Sequence, residues 1–272
     1  MYQFGWFSTG RGKGSRELFK TALDGIASGQ IKNARISYVF CSREPGESPE
    51  TDRFIELVKN SGVPIVCFSY QKFKGDRPDN AVDEPLPEWR LQYDRQVMEL
   101  LKDYNCDLCV LAGYMLIVGK EMCKKYNMLN LHPAAPGGPK GTWREVIWQL
   151  IDLKAKETGV MMHMVTPELD KGPVVSYCRF PINGRYFDAH WQAVEGMTAD
   201  EIKKSQGEDN ELFKTIRQHE VKRELPLILT TMSAFSSGKV VISDGTVYDS
   251  NGNTINGYNL TEEIEKLLKK KN

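Results

Sequence analysis

The sequence of 272 residues has no surplus of either charge, since 36 Lys and Arg residues balance 36 Asp and Glu residues. General nucleic-acid binding depends on an excess of positive charge, so the composition argues against that class. Long apolar runs are also absent: the longest, 108–118, is too short to cross a bilayer and is interrupted by Gly113. The N-terminus has no basic region followed by a cleavage site, so no signal peptide is predicted.

Cysteine is scarce as well, with six residues in the chain. That number is too small for a disulfide scaffold of this length and favours a reducing, cytoplasmic compartment. Cys106 and Cys109 form a single Cys-x-x-Cys pair without a second pair at zinc spacing. A metal or redox site at this pair is therefore the less favoured interpretation.

Apolar runs alternate with amphipathic stretches along the chain. Strands are predicted at 2–8, 34–41, 64–69, 108–112, 159–165 and 174–181, and helices at 15–28, 51–61, 88–104, 212–232 and 261–271. This alternation predicts an α/β fold, a doubly wound and mostly parallel open sheet that binds ligands at the carboxyl ends of its strands. A hairpin around Asp244 and Gly245 is predicted as a C-terminal extension.

No linker-like segment divides the chain, so a single domain covering residues 1–272 is predicted. Two polar segments, 72–87 and 183–210, are predicted to be surface loops.

A glycine-rich loop joins the first predicted strand to the first predicted helix. Its sequence, residues 8–16, is Ser-Thr-Gly-Arg-Gly-Lys-Gly-Ser-Arg. Such a loop lets backbone N–H groups approach an anion above a helix N-terminus, so a phosphate is the expected ligand. Gly14 separates Lys13 from Ser15, which excludes a Walker A motif, and Ser15 stands where a dinucleotide fingerprint needs glycine. The alternative is a flexible turn with a basic surface.

Polar residues that suit acyl transfer follow apolar segments later in the chain. Asn130 and His132 end one such segment, His163 lies in another, and Asp170 falls in a turn-rich loop. An amide stabilises an oxyanion, a histidine moves or holds a proton, and a carboxylate orients that histidine and raises its pKa. Two alternatives remain: structural roles for His132 and Asp170, or a metal site built from His132, His163 and Asp170.

Three segments resemble the core of the folate-dependent formyltransferases. They are Leu-Ala-Gly-Tyr-Met at 111–115, Asn-Leu-His-Pro at 130–133, and His-Met-Val-Thr-Pro-Glu-Leu-Asp-Lys-Gly-Pro-Val at 163–174. The resemblance implies a Rossmann-like fold and formyl transfer from 10-formyltetrahydrofolate. The glycine loop, Arg90 ahead of Tyr93, and the C-terminal hairpin are similar to the branch that formylates glycinamide ribonucleotide in de novo purine biosynthesis.

The resemblance also implies residue roles. The substrate phosphate would be held by Gly12, Gly14, Ser15 and Arg16. The folate would be bound by Arg90, Met115, Leu116, Ile117, Val118, Asn130, Thr166 and Glu168. Asn130 and His132 would flank the formyl carbon, with Asp170 supporting a protonated His132, and no metal is required. Glu220 is the candidate for a further substrate contact.

The chain departs from the family pattern at several positions. Arg16 stands where asparagine is usual, the stretch 133–139 is shortened, and 72–87 and 183–210 look like insertions. The alternative functions are an amino-sugar formyltransferase, a formyltetrahydrofolate hydrolase, a non-enzymatic protein that binds phosphate-bearing metabolites, or a metal hydrolase. The expected partners are small-molecule substrates, without nucleic acid or membrane, and the oligomeric state is left open.

Overall fold

The computed structural model describes residues 1–78 and 85–270 of the chain. The strands are β1 (Tyr2–Ser8), β2 (Ala34–Cys41), β3 (Ile65–Cys67), β4 (Leu108–Leu111), β5 (Met128–His132), β6 (Glu157–Met164), β7 (Val174–Pro181), β8 (Val240–Ser243), β9 (Thr246–Asp249) and β10 (Tyr258–Asn259). The helices are α1 (Lys13–Ala27), α2 (Pro49–Asn60), α3 (Tyr70–Lys74), α4 (Glu88–Leu100), α5 (Lys120–Lys125), α6 (Trp143–Asp152), α7 (Asp188–Ala193), α8 (Ala199–Ser205), α9 (Glu211–Ser236) and α10 (Thr261–Lys270). A 3-10 turn covers Gly207–Asp209.

Eight strands form one sheet in the order β10-β7-β6-β5-β4-β1-β2-β3. The neighbours from β5 to β3 are parallel, β6 runs antiparallel to both β5 and β7, and β10 is parallel to β7. The predicted doubly wound, mostly parallel sheet is thus confirmed. From β1 the chain adds β2 and β3 on one side and β4 and β5 on the other. The topological switch point, where such sheets bind ligands, therefore lies between β1 and β4.

Large aromatic side chains fix the helices on the face of the sheet that carries α1, α2 and α9. Trp6 contacts Phe19 of α1 with ring centroids 5.7 Å apart, and Phe19 contacts Phe54 of α2 at 5.9 Å. All three rings are fully buried, so truncating Phe54 to alanine should cost about 3–5 kcal/mol. A Cβ atom on Gly10 would lie 3.1 Å from Phe54. This packing therefore also fixes the glycine loop that follows β1.

The hairpin predicted at the C-terminus is confirmed, because β8 and β9 pair antiparallel on either side of Asp244 and Gly245. The segment 183–210 is not a loop, since it contains α7, α8 and the 3-10 turn. Its apolar residues Phe187, Val194 and Ile202 are buried in a cluster that includes residues of α6 and α9. A few well-placed apolar side chains outweigh the polar composition from which the loop was predicted.

The segment 72–87 is a loop only in part. Its first residues, as far as Lys74, belong to α3, and residues 79–84 lie outside the described residues. The helix predicted at 212–232 is longer than expected, because α9 begins at Glu211, continues through Pro226 and ends at Ser236. The last residue of the helix predicted at 261–271 lies outside the described residues. No helix within residues 1–78 and 85–270 is long and apolar enough to cross a membrane.

Candidate active site

Asn130, His132 and His163 lie together because of the register between β5 and β6. Asn130 is the direct antiparallel partner of His163, and His132 lies two residues farther along the same strand. Opposite residues of an antiparallel pair, and residues two apart on one strand, project from the same face. The structure therefore brings the amide and both imidazoles to one side of the sheet, at the carboxyl end of β5.

Asp170 reaches the same place from the loop between β6 and β7. Its carboxylate oxygens lie 3.6 Å from His132 Nδ1 and 3.4 Å from His163 Nε2. Asn130 Nδ2 lies 3.3 Å from His163 Nε2. The side chains of His132, His163 and Asp170 are only 2%, 3% and 5% exposed. The predicted convergence of Asn130, His132 and Asp170 is thus present, with His163 as a further member.

The backbone around Asp170 is held in a demanding conformation. Asp170 has φ of +51°, a left-handed value that costs a residue other than glycine about 1–2 kcal/mol. At Gly172 a side chain would collide with the carbonyl of Met164, so the loop passes directly against β6. The N–H of Gly141 donates to Asp170 Oδ2 at 3.2 Å. These constraints aim the carboxylate at the two histidines.

Backbone carbonyls fix the tautomer of each imidazole. His132 Nε2 lies 2.9 Å from the carbonyl oxygen of Pro139, and His163 Nδ1 lies 2.9 Å from that of Met164. Because a carbonyl oxygen only accepts, each of these ring nitrogens carries a proton. The other ring nitrogens, His132 Nδ1 and His163 Nε2, face Asp170.

Burial controls the charge of His132. It lowers the pKa of the imidazole below the usual 6.5, although the Asp170 carboxylate acts in the opposite direction. Burial therefore opposes the predicted protonation of His132, which stays a prediction. Burial also opposes ionisation of Asp170, but the hydrogen bond with His163, the neighbouring His132 and the Gly141 N–H together hold the pKa of the carboxyl below its ordinary value. The site thus contains a buried carboxylate beside an imidazole whose protonation is disfavoured by burial.

The glycine loop follows β1, at the same edge of the sheet and across the switch point from β4 and β5. Gly12 is the N-cap of α1, and no side chain within the described residues caps the helix, so its first N–H groups are available to a ligand. The Thr9 N–H donates to the Gly113 carbonyl at 2.9 Å, and the Met115 N–H donates to Thr9 Oγ1 at 3.0 Å. These bonds join the loop after β1 to the segment after β4. Ser15 is buried, with its hydroxyl 2.8 Å from where a Cβ atom on Gly113 would lie.

Arg16, near the N-terminus of α1, already forms an ion pair. Its guanidinium pairs with Glu50 of α2 at 2.5 Å, and Glu50 also pairs with Arg53. The side chain of Arg16 is 22% exposed. A phosphate at the N-terminus of α1 would therefore have to compete with Glu50 for Arg16, which the sequence did not indicate.

The predicted folate residues are placed unequally. Met115 is 49% exposed at the end of β4, and Val118 is buried. Leu116 and Ile117 are half-buried between them. Thr166 Oγ1 donates to the Glu168 carbonyl at 2.9 Å, and the Glu168 side chain is exposed and pairs with Lys171.

Arg90 is the clearest correction among the predicted folate residues. It is only 2% exposed, with its guanidinium 5.1 Å from the Tyr70 ring centre and 3.4 Å from Asp94. Arg90 Nη2 donates to the Ile117 carbonyl at 2.6 Å. A direct contact with folate is therefore wrong for this conformation, and Arg90 instead supports the segment that follows β4.

Glu220 is likewise no exposed substrate contact. It is fully buried on α9, 3.2 Å from Arg217, which also binds Glu224 at 2.6 Å. Burial raises the pKa of Glu220 well above its ordinary value, more than Arg217 lowers it. Because the carboxyl is fully buried and held by Arg217, it does not reach a substrate in this conformation.

A family model described as formyl transferase matches residues 13–188 of the chain. The chain belongs to the formyl transferase family. It is 28% identical over 152 residues to the phosphoribosylglycinamide formyltransferase of Dictyostelium discoideum, which covers 52% of this chain and 70% of that protein. It is 25% identical over 170 residues to the human trifunctional purine biosynthetic protein adenosine-3, covering 62% of this chain but only 16% of that longer protein.

The fold is also similar to that of a solved structure. The crystal structure of glycinamide ribonucleotide transformylase 1 from Symbiobacterium toebii superposes with a TM-score of 0.64 and 22% identity, covering 92% of this chain and 94% of that one. At this identity the likeness establishes the shared fold.

Sequence reasoning missed several features of this formyl transferase. His163 was placed only in a strand or in a possible metal set, because its contact with Asp170 depends on the β5–β6 register. The sequence did not indicate that Glu50 pairs with Arg16, since the two residues lie 34 positions apart. Pro139 and Gly141 bind His132 and Asp170 through backbone atoms, so their side chains gave no indication of these contacts. Only the turn sequence Asp-Lys-Gly-Pro at 170–173 suggested how the loop is shaped.

Proposed function

We propose that the protein transfers the formyl group of 10-formyltetrahydrofolate to the primary amine of glycinamide ribonucleotide in de novo purine biosynthesis. The observation that carries this proposal is the convergence of Asn130, His132 and Asp170 at the carboxyl end of β5, beside the switch point. Family membership supports the reaction class, and the names of the relatives support this acceptor.

The amine attacks the formyl carbon directly. The new C–N bond forms first and gives a tetrahedral intermediate with negative charge on the formyl oxygen. The bond from carbon to the folate nitrogen then breaks, and one proton passes from the amine to that nitrogen. The oxyanion on the formyl oxygen is stabilised by N–H donors from Asn130 and His132. Neutral His132 donates through its protonated Nε2, which must then leave the Pro139 carbonyl. Holding both substrates in register supplies much of the rate.

Asp170 supports the proton transfer in this proposal. It is anionic because its pKa is held low, and it is buried between the two imidazoles. An anion at this position attracts the proton that the attacking amine must lose, directly or through an ordered water molecule. Neither a covalent intermediate nor a metal ion is needed for these steps.

The two substrates enter on either side of the switch point. The phosphate binds at the uncapped N-terminus of α1, to N–H groups of the loop that contains Gly12, Gly14 and Ser15. Arg16 joins the phosphate once it leaves Glu50. The pterin lies along 115–118, whose position is set by Thr9 and by Arg90 behind it.

The experiment is an assay of tetrahydrofolate release with 10-formyltetrahydrofolate and glycinamide ribonucleotide. Formylated ribonucleotide should appear in step with tetrahydrofolate. Parallel reactions with water alone and with an amino sugar nucleotide identify a hydrolase or an amino-sugar formyltransferase. Formate release that glycinamide ribonucleotide does not change, or transfer only to the amino sugar, would replace the proposed acceptor. Binding of both ligands without turnover would indicate a binding protein.

A further inference from the structure

Three side chains turn potential ligand atoms toward one another inside the candidate active site. These atoms are His132 Nδ1, His163 Nε2 and the carboxylate oxygens of Asp170, and they all lie within 4.8 Å of one another. The pairs that involve Asp170 are 3.6 Å and 3.4 Å apart. The other nitrogen of each ring lies against a backbone carbonyl, so His132 Nδ1 and His163 Nε2 are the ring atoms that face the cluster.

Few short contacts hold these atoms to one another. Asn130 Nδ2 lies 3.3 Å from His163 Nε2, and the N–H of Gly141 donates to Asp170 Oδ2 at 3.2 Å. His132 Nδ1 and Asp170 Oδ2 are 3.6 Å apart, longer than a normal hydrogen bond. The centre of the cluster is therefore lined by two ring nitrogens and a carboxylate that suit a bound cation.

We propose that His132 Nδ1, His163 Nε2 and Asp170 bind one divalent transition-metal ion, with Zn²⁺ as the best fit, and that the bound ion inhibits formyl transfer. The binding site stands on the geometry alone, whereas the inhibition rests on the proposed function.

The distances and the donor set both fit zinc. Ligands at about 2.0–2.2 Å from a tetrahedral zinc ion are separated by roughly 3.3–3.5 Å. His132 Nδ1 lies 3.6 Å from Asp170 Oδ2 and His163 Nε2 lies 3.4 Å from Asp170 Oδ1, and the three ligand atoms all lie within 4.8 Å of one another, so a small adjustment brings them to these separations. Two imidazoles and one carboxylate suit Zn²⁺ better than Mg²⁺ or Ca²⁺, which prefer oxygen ligands. Three protein ligands leave a fourth position for water, as in open zinc sites.

The surroundings of the ligands also match a metal site. A histidine that binds a metal generally donates its other ring N–H to a carbonyl or carboxylate, which fixes the tautomer and the ring orientation. Pro139 and Met164 provide those carbonyls here, each at 2.9 Å. The site is thus organised before any ion arrives.

Inhibition follows from the identity of the ligands. A zinc ion would engage the Asp170 carboxylate, which the proposed transfer uses to attract the amine proton, and would hold His132 through Nδ1, so that Nε2 could not leave the Pro139 carbonyl to reach the formyl oxygen. Metal binding and formyl transfer are therefore mutually exclusive.

The binding test is equilibrium dialysis of the metal-free full-length chain against Zn²⁺, with Co²⁺ as a spectroscopic probe. We expect one ion per chain and the intense visible absorption of four- or five-coordinate Co²⁺. His163→Gln and Asp170→Asn should each weaken Zn²⁺ binding by at least about tenfold, since even loss of an outer partner costs 10–100-fold. The control His190→Gln, on α7 and outside the cluster, should bind Zn²⁺ like the wild type.

A thermal measurement guards against variants that fail to fold. Zn²⁺ should raise the Tm of the wild type and of His190→Gln but not that of His163→Gln. Equal Zn²⁺ affinity in the wild type and His163→Gln, or affinity lost in His190→Gln, would overturn the proposed site. Octahedral Co²⁺ absorption would overturn it as well.

The inhibition test adds Zn²⁺ to the transfer assay, followed by EDTA. Activity should fall along the same concentration curve as binding and should return with EDTA. Stoichiometric binding without loss of activity would overturn the inhibition. If the protein proves inactive toward glycinamide ribonucleotide, dialysis still decides the metal site, so the two proposals fail separately.

Discussion

The variant Gly14→Ala tests whether Gly14 is needed for ligand binding and not for folding. Gly14 is the second residue of α1, it is exposed, and a Cβ atom built on it meets nothing within 4 Å. Its φ is not positive. The protein alone therefore has no reason to exclude a side chain at this position. If a phosphate approaches the first turn of α1 closely, the added methyl group would meet it.

The structure sets the magnitude of the effect on stability. Alanine is favoured over glycine inside a helix by about 0.5–1 kcal/mol. For a chain of this size a gain of 1 kcal/mol corresponds to a Tm increase of roughly 2–4 °C. Gly14→Ala should therefore be slightly more stable than the wild type while the KM for glycinamide ribonucleotide rises and that for the folate stays unchanged.

Gly25→Ala is the matched control on the same helix. There a Cβ atom would lie 2.5 Å from Leu229 of α9 and 3.2 Å from Ile31. Overpacking of this kind costs about 1–3 kcal/mol, which exceeds the helix-propensity gain. Gly25→Ala should therefore lower the Tm and leave the KM for both substrates unchanged.

Thermal unfolding and steady-state kinetics of the two variants, measured side by side, decide whether Gly14 is needed for phosphate binding. An unchanged KM for the ribonucleotide in Gly14→Ala would refute the reasoning that a phosphate binds at the first turn of α1. Equal increases in KM for both substrates would refute it too, because the folate is not expected at this helix end.

Three further predictions concern single side chains. Asn130→Ala should lower kcat by about 10²–10³, as loss of an oxyanion donor does, with little change in KM; an effect on KM alone in steady-state kinetics would contradict that role. Glu50→Gln should lower the KM for the phosphorylated acceptor, because Arg16 no longer has to leave a carboxylate; a higher KM would contradict the competition. Glu220→Gln should become more stabilising as the pH rises above 4.5, the ordinary pKa of glutamate. The folded state retains a proton that the unfolded state releases, so wild-type stability falls with pH there. A Tm difference that stays constant or shrinks between pH 5 and 8 would instead indicate a charged Glu220 paired with Arg217.

The parts of the fold that the sequence predicts are those with local periodicity. The alternation from β1 to β4 and the hairpin at Asp244 and Gly245 depend on side-chain patterns within one segment, and both are present. The helices α7 and α8 were missed because their burial depends on a few apolar residues, such as Ile202, that contact distant elements.

The candidate site likewise has parts that the sequence predicts and parts that depend on long-range packing. Asn130, His132 and Asp170 were found from their types and from family resemblance, and the structure brings them together. Whether Arg90 faces a ligand or the interior depends on the packing of α4 against Tyr70, which no local pattern records. The charge of His132 depends on the total burial around it, and this outweighs the one neighbour that sequence reasoning considered.

Asp170 connects the proposed transfer with the proposed metal site. Burial favours neutral His132, whereas several hydrogen-bond and charge contacts keep the Asp170 carboxyl ionised. A buried anion beside a neutral ring nitrogen attracts a cation, which is the amine proton during transfer and a zinc ion when zinc is present. Asp170→Asn should therefore lose both transfer and Zn²⁺ binding. Asn130→Ala should lose transfer but keep Zn²⁺ binding, because Asn130 contributes no ligand atom. Dialysis and the transfer assay on both variants check this pattern. If Asn130→Ala lost Zn²⁺ binding as completely as Asp170→Asn, the assignment of Zn²⁺ binding to Asp170 and not to Asn130 would be contradicted.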